Sequence, residues 1–160
     1  MVLNGQPIAV NSTGEKMLVE LYRQYVKDYP KFFKMDTLSR LGFIAAELLL
    51  REQSVDAVIL ANRSASIKND TDYLATITGE NYYPSPALFV YTLPNIVTGE
   101  IAIRHHIQGE TSFYILEKPE QLEPIIKSPI TNHQSPILCG WCECSDANTF
   151  NAKLQIIWNN

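Results

Sequence analysis

A chain of 160 residues, 46% of them hydrophobic, is long enough to bury one core and short for two, so residues 1–160 are read as a single domain. A net charge of -4 and a pI near 5.3 supply no basic field for a phosphate backbone, which argues against nucleic acid as a partner. No apolar run approaches the roughly 20 residues of a membrane span, and the opening MVLNGQPIAVNSTGE lacks the basic and apolar blocks of a signal peptide; a cytoplasmic protein is expected.

Residues 14–31, GEKMLVELYRQYVKDYPK, put Met17, Leu18, Leu21, Tyr22 and Tyr25 on one helical face, and Tyr29-Pro30 should stop the helix. Asp36 reads as the N-cap of a second helix with Leu38, Leu41, Ala45, Leu48 and Leu49 as its apolar stripe and Arg51 near its C-terminus. The continuous apolar run at 56–61 suits a strand buried on both faces, followed by a polar small-residue loop at 62–66. A helix is expected over Asn69–Ile77, capped by Asn69 or Asp70, then a break at Pro84-Ser85-Pro86 and an apolar strand at Ala87–Tyr91. Pro94 suits the first turn of a helix over 93–107, Gly99 inside it should cost about 1 kcal/mol against alanine, and Gly109 should close it as a left-handed cap. Residues 111–116, TSFYIL, have the aromatic and β-branched content of a strand. After Pro119 a short helix to Lys127 and a loop over 128–136 are expected, and the runs 136–144 and 151–158, separated by a turn-rich SDAN, read as an antiparallel hairpin.

Taken together, SPALFV, then NIVTGEIA, then QGETS, preceded by FFKMD at 32–36, follow one another in the order of signatures in the N-terminal half of a β-ketoacyl synthase of the thiolase superfamily, which this chain resembles over about residues 32–116. The resemblance implies an α/β fold: one thiolase-like half with a mainly parallel sheet, helices on both faces and the C-terminal antiparallel hairpin. It also implies where the condensing nucleophile would stand. With Gly109 as anchor that position falls at or beside Lys118, where this chain has ILEKP and no cysteine. Decarboxylative condensation needs a thiolate at a helix N-terminus and donors for the enolate, and a lysine followed by Pro119 supplies no sulfur. The family's glycine-proline turn is Gly109-Glu110 here, and the histidines and lysine of its second half have no counterpart after residue 118. No catalytic residue is therefore nominated.

Several residues invite sharper readings. Cys139, Cys142 and Cys144 are three thiols, but strand alternation puts Cys142 and Cys144 on one face and Cys139 on the other, so small buried hydrophobes are expected rather than a metal site, with His133 upstream as the other candidate ligand. His105 and His106, adjacent on a helix, cannot share a pocket and are expected at the surface of a helix C-terminus together with Arg104. The loop Asn62–Ser66 lacks the glycines of a phosphate loop and reads as ordinary connection, although its amides could cradle an anion. Tyr82, Tyr83, Phe89 and Tyr91 resemble an aromatic box, but alternation on the expected strand makes Phe89 and Tyr91 core or interface residues rather than a ligand stack.

What the resemblance implies about function is a ketosynthase-like protein without the nucleophile, comparable to chain-length-factor subunits that shape a partner's acyl tunnel. Phe113, Tyr114 and Ile115 lie on the strand that in the family sits at the dimer axis, so a dimer interface is expected there. The partner would be a second copy or a full ketosynthase. An acyl carrier protein would need a basic patch, for which Lys118, Lys127 and Arg104 are the candidates. No cofactor is implied. The other readings are a synthase subunit completed by a second polypeptide that brings cysteine and histidines, and a homodimeric scaffold without an acyl-related role.

Overall fold

The computed structural model describes residues 2–3, 6–77, 79, 83–132 and 135–158. A short antiparallel pair, β1 (Val2–Leu3) and β2 (Gln6–Pro7), precedes α1 (Glu15–Tyr25), a 3-10 turn (Pro30–Lys34) and α2 (Thr37–Leu49). Then come β3 (Ala57–Asn62), α3 (Ile67–Leu74), α4 (Pro86–Val90), α5 (Ile96–His105) and β4 (Thr111–Ile115). A second 3-10 turn (Pro119–Leu122), α6 (Glu123–Asn132), β5 (Ile137–Cys144) and β6 (Phe150–Ile157) complete the order.

Four strands form one sheet in the order β4-β3-β5-β6. The β3–β4 and β3–β5 pairings are parallel, and β5–β6 is the antiparallel hairpin, with Leu138 opposite Ile156 and Cys142 opposite Ala152. All six residues of β3 are buried, which is what an uninterrupted apolar run requires in a strand covered on both faces. Leu18, Leu21 and Tyr22 of α1, Leu38, Phe43 and Ile44 of α2, and Phe32 build a cluster on one face; Val97 and Ile101 of α5 continue it over Val58 and Leu60. Leu122 and Ile126 cover Ala57, Ile59 and Ile137 on the other face. The mainly parallel sheet, helices on both faces and closing hairpin thus match the α/β fold expected from the sequence.

Local chemistry explains where element boundaries moved. The Asp36 side chain accepts from Ser39 N–H at 3.0 Å and caps α2 as expected. Helix α1 ends at Tyr25, before Tyr29-Pro30, because Lys27 takes a left-handed conformation (φ 72°). Ala87–Tyr91 is not a strand. Ser85 accepts from Leu88 N–H at 3.3 Å and Pro86 opens the helix, so the caps select α4, and none of its residues is buried. Helix α3 starts two residues earlier than expected, and Asn69, read as its cap, lies inside it with its amide donating to Leu88 O at 2.8 Å. Helix α5 starts at Ile96, with Pro94 in the preceding turn, where its carbonyl accepts from Val97 N–H. His106, not Gly109, is its left-handed cap (φ 56°). The segment after Pro119 is more helical than expected, since α6 runs to Asn132 through part of the expected loop. His133 and Tyr82 lie outside the described residues.

Candidate functional site

In an open α/β sheet the crevice at the carboxyl ends of the strands is the usual site of chemistry. Here those ends bring together the loop 62–66 after β3 and the segment 116–118 after β4, joined by Leu116 N–H donating to Asn62 O at 2.8 Å. Asn62 is fully buried and clamps its own loop, donating to Ala65 O at 2.8 Å and accepting from Ala65 N–H at 2.9 Å. The loop amides do cradle an anion, and it is the chain's own. Glu143 of β5 accepts from Arg63 N–H at 2.9 Å, from Ser64 N–H at 3.3 Å and from the Ser64 hydroxyl. The sequence held this possibility in the loop's small residues but gave no sign that the anion would come from 80 residues away.

Lys118, at or beside which the resemblance put the family's nucleophile position, stands exposed at the start of the 3-10 turn that leads into α6. Its N–H donates to Gln121 Oε1 at 3.0 Å. The three thiols are elsewhere. Cys142 and Cys144 pack with α1 and α2, Cys139 with the α6 face, as alternation predicts. Burial pushes the Cys139 thiol up to about 11 and Cys144 up to about 12, and Cys142 rises further still. All three are therefore neutral thiols at physiological pH. Among the described residues no group of three His, Cys, Asp or Glu side chains is placed to hold a metal ion.

Two cavities of about 500 Å³ each flank the sheet. One is an apolar groove between α1, α2 and β6, lined by Met17, Leu18, Leu21, Leu48 and Phe150 among others. The other lies between α6 and the hairpin, where Cys139 meets Leu122, Trp141 and Lys153. No described histidine lines either one.

The histidine pair departs from expectation. His106 is exposed, but His105 turns inward, its Nε2 3.0 Å from Glu47 Oε1 though off the axis of a directed hydrogen bond. Arg104 is also engaged, with Nε 2.9 Å from Glu47 Oε1, Nη2 2.8 Å from Asp28 Oδ1, and its guanidinium over the Tyr29 ring. Burial raises the Glu47 carboxyl, but His105 and Arg104 outweigh it and hold the group below its ordinary value. This cluster ties α5 to α2. Of the expected basic candidates, Arg104 is thus neutralised and Lys127 pairs with Glu123 at 2.8 Å. Of the aromatic set, Tyr83 and Phe89 are exposed, with Phe89 against Tyr73, while Tyr91 packs on the α1–α2 core.

The strand carrying Phe113, Tyr114 and Ile115 lies at one edge of the sheet. Val58 N–H donates to Glu110 O and Leu116 N–H to Asn62 O, so the even-numbered residues of this strand turn their backbone groups toward β3. Thr111, Phe113 and Ile115 therefore present N–H and C=O outward. The edge is free of charge and proline, and Ile115 is 50% exposed. The opposite edge is different: β6 carries Asn151, Lys153 and Gln155, the polar blocking residues that discourage pairing.

No protein-family model matches the chain, and no curated protein sequence matches it. Solved structures do. A chain of the complex of the ketosynthase ApeO with its chain length factor ApeC from Xenorhabdus doucetiae superposes with a TM-score of 0.58 at 19% identity, over 71% of this chain and 48% of that one. The ishigamide ketosynthase/chain length factor gives a TM-score of 0.65 at 20% identity, over 79% of this chain and 39% of its own. The protein has the fold of ketosynthase and chain length factor chains and spans less than half the length of either match. The likeness drawn from the motifs at 32–36 and 84–116 holds at the level of fold. Among the described residues no helix is long and apolar enough to cross a membrane.

Proposed function

We propose that this protein is a non-catalytic ketosynthase-like accessory chain of fatty-acid or polyketide assembly, acting by pairing through β4. The observation that carries the reading is the uncharged open edge of β4, in a chain whose thiols are buried and protonated and whose Lys118, at or beside the position the resemblance gives the nucleophile, is exposed. Antiparallel pairing about a two-fold axis at Phe113 sets Phe113 opposite its mate and Thr111 opposite Ile115, which uses every outward group of the strand and forms roughly six backbone hydrogen bonds. Two sheets then become one.

In the purified protein the partner is a second copy; in an assembly system the same edge would meet a full ketosynthase, with an acyl carrier protein delivering substrate to that partner. Sedimentation velocity tests the pairing: the wild type should run as a dimer and Thr111→Lys/Ile115→Lys, which sets lysine opposite lysine twice, as a folded monomer. A wild type that stays monomeric, or a double variant that stays dimeric, defeats the reading. Malonyl-carrier decarboxylation by the chain alone would defeat its non-catalytic half.

A further inference from the structure

No further inference is drawn: the strongest candidate, the apolar groove between α1, α2 and the outer edge of β6 lined by Leu18, Leu21, Leu48 and Phe150, is an unpartnered face, and nothing in the structure shows what covers it.

Discussion

Two glycines make opposite predictions. Gly109 N–H donates to Asp56 O at 3.1 Å, and a Cβ built on Gly109 would lie 2.1 Å from that same oxygen and 3.2 Å from its carbon. Both atoms are backbone, so no flexible side chain can move aside; the strand ends must part by roughly 1 Å to reach ordinary contact. The bonds at risk are Gly109 to Asp56 and Val58 to Glu110, which set the β3–β4 register. At about 1 kcal/mol net each, with about 1 kcal/mol or more for the overpacking and a gain of some 0.5 kcal/mol from a stiffer unfolded chain, Gly109→Ala should cost about 2–3 kcal/mol. Urea denaturation should show a lower midpoint at unchanged slope, and the melting temperature should fall by about 4–12 °C. Gly99→Ala has the other sign: measured in the monomeric Thr111→Lys/Ile115→Lys background, it should stabilise by about 1 kcal/mol, since the added methyl meets nothing. A loss below about 0.5 kcal/mol at Gly109, or any loss at Gly99, would refute the reasoning.

Three further outcomes follow from buried ionisable groups. Glu47 has a folded value below its ordinary 4.5, so its stabilising contribution is complete above that pH and is lost as pH falls through the depressed value. Glu47→Gln should therefore cost about 1–3 kcal/mol at pH 7, with the gap to wild type narrowing below about pH 4.5 in urea titrations. Asp36 is the reverse case: burial raises it against the hydrogen bonds from Ser39, so stability is lost as pH rises from the ordinary 3.8 through the raised value, and the full cost stands above it. Asp36→Asn keeps a capping side chain and should be neutral or stabilising at pH 7, whereas Asp36→Ala should lose about 1 kcal/mol by thermal melting. The thiols should resist Ellman's reagent in the native protein at pH 8 and react to three equivalents in denaturant; rapid native labelling would contradict their burial.

The layered fold was legible because its signals are strong and local: the stripe of α2 behind Asp36, the unbroken run of β3, the turn between β5 and β6. Ala87–Tyr91 was misread because apolar content alone cannot separate a short strand from a capped helical turn, and the Ser85-Pro86 start outweighs β-propensity. Of the site, strand β4 was readable from its aromatic and β-branched content, but its position at the edge depends on strand order, which no local pattern states. Glu143 in the loop amides and His105 against Glu47 depend on contacts 79 to 80 and 58 residues apart in sequence, beyond any window of periodicity. Gly99 was visible as an anomaly, but the close packing that a helix glycine suggests is not found among the described residues, where a Cβ at this position meets nothing within 4 Å.

The most direct test compares Thr111→Lys/Ile115→Lys with Thr111→Lys/Ile115→Glu by sedimentation velocity. With the axis at Phe113, residues 111 and 115 of two copies stand opposite, so the lysine–glutamate variant should retain twice the 18.1 kDa chain mass while the lysine–lysine variant runs at the chain mass. Equal behaviour of the two variants would contradict the account.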